Sequence, residues 1–69
     1  MDYPQISLKA ARVNANFTQE QAAKELGINK ATLQNYETGA TSPTMGMVNK
    51  MSELYRFPKD YIFFGRNSA

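Results

Sequence analysis

The 69-residue chain carries eight Lys and Arg against six Asp and Glu, a net charge of +2, and it has neither cysteine nor histidine. So short a chain forms one domain with a modest core, and a hydrophobic fraction of 42% favours a folded domain over disorder. Without Cys or His, and without clustered carboxylates, we expect no disulfide, metal, cofactor or enzymatic activity.

No segment of the sequence predicts a membrane span or an export signal. The longest apolar run is Tyr61–Phe64, far short of the roughly 20 residues that cross a bilayer. The N-terminal residues Met1–Pro4 lack the basic and apolar regions of a signal peptide. We therefore expect a cytoplasmic protein with no membrane partner and no small-molecule ligand.

Apolar spacing and capping residues predict five short helices and no β-structure. Thr18 and Gln21 have the spacing of a capping box, which starts the second helix, and Gly27 ends that helix. Pro58 suits the first turn of the fifth helix. The predicted helices are Gln5–Val13, Gln19–Leu26, Lys30–Glu37, Met45–Tyr55 and Pro58–Phe64.

Only three residues, Gly27–Asn29, separate the second and third helices, and so short a turn makes them cross at a large angle. Gly27 is expected where a side chain would clash. Leu33 and Tyr36 are expected to face inward. The residues left facing outward are Asn29, Lys30, Ala31, Gln34 and Asn35.

This outward strip of amides with one cation has the groups that recognise base edges in the major groove. Asn or Gln pairs there with adenine and Lys with guanine, while Ala31 can offer only a methyl contact, for example to thymine. The alternative is that the polar residues merely solvate the helix. For a single residue solvation is the commoner role, but the whole strip favours DNA reading.

A specific series of residues extends over nearly the whole chain, from about Leu8 to Gly65. The series comprises Arg12, Phe17-Thr18-Gln19-Glu20, Ala23, Leu26-Gly27-Ile28, Leu33, Tyr36-Glu37-Thr38-Gly39, Pro43, Val48, Met51, Tyr55, Phe57 and Asp60-Tyr61-Ile62. In this series the sequence resembles the phage repressor and Cro family of helix-turn-helix regulators, the XRE family.

The resemblance implies an all-α, five-helix, lambda-repressor-like domain over residues 1–69, with the helix-turn-helix at about 19–38 and a flexible tail at 66–69. It implies a sequence-specific transcriptional regulator, a phage-type repressor or Cro-like protein, whose third helix binds double-stranded operator DNA. It further implies that the DNA backbone is contacted by Thr18, Gln19, Thr32, Gly39, Thr41, Ser42 and Thr44.

Two departures from the family pattern weaken parts of this expectation. Ala22 stands where the family has a larger apolar residue, so Phe17 or Tyr36 is expected to fill the space. The loop Ala40–Ser42 has none of the cations that many relatives carry. Affinity of one protomer for DNA is therefore expected to be low, and dimerisation correspondingly important.

Two further features follow from the resemblance. Arg12 and Glu37 match a partly buried family ion pair, the alternative being that each is solvated. The aromatic residues Tyr61, Phe63 and Phe64 are expected to form a homodimer contact, at least on DNA, unless the aromatic cluster only fills the core.

A different function is open to the same fold. The chain would then be a protein-interaction module, antitoxin-like or an antirepressor, with weak or no DNA binding. Exposed apolar residues on the third helix would favour that function. Lys30, Gln34 and Asn35 favour DNA instead.

Overall fold

The structure is a computed structural model that describes residues 5–63, in which four α-helices are joined to one short two-stranded sheet. The elements are β1 Ile6–Ser7, α1 Leu8–Asn14, α2 Gln19–Leu26, α3 Lys30–Thr38, α4 Met45–Tyr55, a 3₁₀ turn Lys59–Tyr61 and β2 Ile62–Phe63. The two strands pair in parallel, with Ile6 opposite Ile62. Within these residues no helix is long and apolar enough to span a bilayer.

Each α-helix begins at a polar side chain that accepts a hydrogen bond from the backbone N–H three residues later. The caps are Ser7, Thr18, Asn29 and Thr44. At α2 the capping box is complete, because the Gln21 side chain accepts in return from the Thr18 N–H at 3.0 Å. The predicted starts of the second, third and fourth helices are thereby confirmed.

The first and fifth predicted helices need correction. Helix α1 begins at Leu8 rather than Gln5, because Ile6–Ser7 is extended and pairs with β2. The prediction of a fifth helix over Pro58–Phe64 is wrong for its described residues, which end at Phe63. A single 3₁₀ turn leads there into β2, where Ile62 is buried. Strand pairing gives this segment hydrogen-bond partners that an isolated short helix lacks. The tail at 66–69 lies outside the described residues.

The core lies between the helices and beneath the small sheet. Its members are Leu8, Ala11, Ala22, Ala23, Leu26, Leu33, Met51, Tyr55 and Ile62. Phe17 and Tyr36, the two residues expected to compensate for Ala22, are partly buried and pack against this core.

Gly27 ends α2 in the left-handed conformation, with φ of 73° and ψ of 28°. The expectation of a steric clash at this position is wrong, because a Cβ atom there would meet nothing within 4 Å. The positive φ is what favours glycine, since other L-residues adopt it at an energetic cost. The backbone conformation of Gly27 therefore helps to set the angle between α2 and α3.

The hydroxyl of Tyr55 is buried and has no hydrogen-bond partner among the described residues. The pKa of this phenol is raised from 10.0 to about 12, chiefly by burial and further by the nearby Glu37 carboxylate, while Arg12 acts in the opposite direction. The ring itself packs against Phe17, with ring centroids 6.2 Å apart.

Replacing Tyr55 by Phe should leave the free energy of unfolding unchanged or raise it by up to about 1 kcal/mol, because an unpaired hydroxyl is removed. The folded-state pKa lies above the ordinary value. The contribution of the Tyr55 phenol to the free energy of unfolding is therefore complete below pH 10 and is lost as the pH rises toward 12. In urea unfolding across this range, the free energy of unfolding of Y55F should rise relative to that of the parent protein above pH 10. A marked loss of stability in Y55F at neutral pH would contradict this account.

Candidate functional site

Helix α3 presents one polar stripe to solvent. Leu33 is fully buried against the core, and Ile28 and Tyr36 are partly buried beside it. On the other side of the helix all five residues predicted to read bases are exposed, namely Asn29, Lys30, Ala31, Gln34 and Asn35. Residues three and four positions apart are neighbours on a helix surface, so Lys30, Ala31, Gln34 and Asn35 form a continuous stripe.

The N-terminal end of α3 is held by a side-chain cap. The Asn29 Oδ1 atom accepts from the Thr32 backbone N–H at 3.2 Å and from the Thr32 hydroxyl at 2.7 Å. This oxygen is therefore engaged within the protein. The Asn29 amide hydrogens are the part of this side chain left for a ligand.

A buried ion pair joins α1 to the last turn of α3. Arg12 Nε donates to Glu37 Oε2 at 2.7 Å, and the two side chains are only 8% and 4% exposed. Arg12 Nη2 reaches Glu37 Oε1 at 3.3 Å, and Nη1 donates to the Phe17 carbonyl at 2.8 Å. The guanidinium therefore also ties down the turn that precedes α2.

Gln19 extends this network toward the surface. Its Nε2 donates to Glu37 Oε1 at 3.0 Å, and its Oε1 accepts from Gln34 Nε2 at 3.2 Å. Gln19 was predicted from the sequence to hold a phosphate, and the structure shows that its side-chain oxygen and one N–H already have protein partners. The link to Gln34 was not predicted, because the two residues are 15 positions apart.

Two shallow surface hollows flank the N-terminus of α2, and Lys9 of α1 lines both of them. One hollow also contains Thr18, Gln19 and Lys30, and the other contains Gln34 and Asn35. Lys9 was not among the residues predicted from the sequence to contact DNA. Its position three residues before Arg12 on the same helix was the available signal, since residues so spaced are neighbours on a helix surface.

The loop between α3 and α4 lies at the C-terminal end of α3. Gly39 adopts a positive φ of 84°, and the Thr41 N–H donates to the Asn35 carbonyl at 3.3 Å. The Thr44 hydroxyl oxygen caps α4 by accepting from the Met47 N–H. Thr41 and Ser42, two of the residues predicted to contact the DNA backbone, have exposed side chains in this loop.

The aromatic residues predicted to form a dimer contact occupy the other end of the chain. Tyr61 is 37% exposed in the 3₁₀ turn, and Phe63 pairs with Ser7 in the sheet. Phe64 lies outside the described residues.

The chain is similar in sequence to known helix-turn-helix proteins. A helix-turn-helix family model matches residues 8–62. The chain is 40% identical over 55 residues to the HTH-type transcriptional regulator ImmR of Bacillus subtilis, covering 80% of this chain and 43% of ImmR. It is 33% identical over 51 residues to the cryptic phage CTXphi transcriptional repressor RstR of Vibrio cholerae, covering 74% of this chain and 46% of RstR.

The chain therefore belongs to the helix-turn-helix family of the phage repressor type. The matched region spans less than half the length of either relative. No solved structure gives a significant match.

The ion pair should show strong coupling in a double-mutant cycle. Arg12→Met or Glu37→Met alone leaves a buried charge without its partner and should cost about 3–5 kcal/mol of unfolding free energy. The double variant should cost much less than the sum, because two apolar side chains can pack where the pair lay. Denaturant unfolding followed by circular dichroism measures this, and additive losses would contradict it.

Proposed function

We propose that the chain is the DNA-binding unit of a transcriptional regulator and that α3 reads operator DNA in the major groove. The continuous exposed stripe on α3, opposite the buried Leu33, carries this proposal. The groove is about 12 Å wide and admits one α-helix. Amide and ammonium groups on such a helix match the donors and acceptors of base edges.

Lys30 and Asn35 are the strongest candidates for direct base contacts. Both are exposed on α3, and they lie at its first turn and its middle. Lys30 can donate to guanine O6 or N7, and the Asn35 amide can form two hydrogen bonds with adenine. Ala31 supports only an apolar contact with a thymine methyl group, as expected from its side chain.

The surface around the start of α2 suits a DNA phosphate. Its first N–H groups have no intrahelical acceptor, and the Gln19 and Glu20 N–H groups are among them. Lys9 and Lys30 line the same hollow and outnumber the Glu20 carboxylate there, whereas the charge of Arg12 is already matched by Glu37. Thr18 and Thr32 would contribute neutral contacts from the helix starts, where each also takes part in a cap.

The loop after α3 would contact the opposite phosphate strand through neutral groups. Thr41 and Ser42 offer exposed hydroxyls, while Gly39 and Thr44 bound the segment. Because the loop has no cation, each phosphate contact there contributes less to affinity. A second copy of the protein would compensate, since linked binding raises affinity through effective concentration.

Residues 1–69 would therefore act as one domain on a near-palindromic operator, two copies to a site, in the cytoplasm. Their half-sites would lie about one DNA turn apart, roughly 34 Å. We place the contact between copies at Tyr61, Phe63 and Phe64, of which Tyr61 is exposed in the structure.

Selection of duplexes from a random pool tests the proposal. The parent protein should enrich one near-palindromic site, with affinity that falls steeply with salt as phosphate contacts release counterions. Lys30→Ala and Asn35→Ala should each cost about 1–3 kcal/mol at that site and relax the preference at the contacted base pair. Lys50→Ala is the control, because the Lys50 ammonium binds the Leu26 carbonyl at the far end of α2.

The control should leave the selected sequence unchanged. Failure to enrich any duplex would contradict the proposal and favour a protein partner instead. A selected sequence without symmetry would contradict the two-copy arrangement. A profile unaffected by both α3 substitutions would remove Lys30 and Asn35 from the reading face.

A further inference from the structure

The hydrogen bonds that run outward from Glu37 have a fixed direction. The Glu37 carboxylate, paired with Arg12, is an acceptor only, so the side chain of Gln19 must turn its NH₂ group toward it. The Gln19 oxygen then faces Gln34, and Gln34 must in turn direct its own NH₂ group to that oxygen. The buried ion pair thus determines which way round both amides lie.

We propose that this amide relay, Glu37–Gln19–Gln34, positions Gln34 to recognise adenine and to reject guanine. One Gln34 N–H is used within the relay, which leaves Oε1 and the other N–H for a ligand. Adenine offers a donor at N6 and an acceptor at N7, which complement the Gln34 oxygen and its remaining N–H. Guanine presents two acceptors there, so the Gln34 oxygen would face the guanine O6 atom.

The relay makes the preference depend on a residue that does not touch the base. A glutamine without such a partner can turn its amide over and donate to guanine. Gln34 can do so only by losing its bond to Gln19, whose own orientation is held by Glu37. Gln19 is accordingly a positioning residue, in addition to any contact that its backbone N–H makes with a phosphate. The inference rests on the proposed function.

Three variants test the relay, Gln19→Met, Gln34→Met and the double variant, with Gln21→Met as the matched control. Methionine keeps the length of the side chain and removes the amide. Gln21 also lies in the first turn of α2, but its amide closes the capping box with Thr18. Affinity is measured for the duplex selected by the parent protein and for duplexes with each A·T pair changed to G·C.

Gln34→Met should lose about fivefold or more of the preference for A·T at one pair in each half-site, the range of a two-bond contact. Gln19→Met should lose most of the same preference at the same pair although Gln34 is intact. The double variant should lose no more at that pair than Gln34→Met does. Gln21→Met should retain the preference of the parent protein.

A second readout needs no DNA. The side-chain amide resonances of Gln34 in a ¹⁵N NMR spectrum should shift in Gln19→Met and stay in place in Gln21→Met. Equal shifts in both variants would overturn the relay.

The binding data separate this inference from the proposed function. If Gln19→Met weakens binding to every duplex by the same factor and keeps the preference, Gln19 contacts only the DNA backbone and the relay is wrong. If the parent protein is selective but Gln34→Met changes nothing, the relay alone fails. If the parent protein shows no preference for any duplex, the proposed function fails and the relay fails with it.

Discussion

The buried ion pair between Arg12 and Glu37 is the contact on which the geometry of this domain depends. It joins α1 to the end of α3, and through the Phe17 carbonyl it also fixes the turn that leads into α2. The desolvation of two charges offsets much of their attraction, so such a pair contributes more to orientation than to net stability. The contacts of Arg12 with Glu37 and with the Phe17 carbonyl therefore hold α1, the start of α2 and the end of α3 together.

The same pair links the interior to the polar surface of α3. On α3 the buried Leu33 is followed directly by Gln34, which belongs to the exposed stripe. Gln19 bridges the two regions because it lies at the start of α2, within hydrogen-bonding distance of both Glu37 and Gln34. A side chain that would otherwise be mobile in water thereby gains a preferred orientation before any ligand arrives, which reduces the entropy lost on binding.

The sequence predicted the features that short-range interactions determine. The N-caps Thr18 and Thr44 marked the starts of α2 and α4, and Gly27 marked the end of α2, because a cap acts within one turn of its helix. The segment after Pro58 was predicted incorrectly because its structure depends on pairing between Ile62 and Ile6, 56 positions earlier. The exposed face of α3 followed from helical spacing, whereas the contact between Gln19 and Gln34 requires knowledge of how two helices cross.

An NMR titration of the ¹⁵N-labelled protein with its selected duplex tests the central claim most directly. The account predicts that the largest shifts fall on the exposed face of α3 and the first turn of α2. It also predicts that the Arg12 Nε–H signal stays in place, because the ion pair exists before DNA binds. The account would be contradicted if the largest shifts fell on the surface formed by Asn14, Glu53 and Arg56, or if the Arg12 signal changed on binding.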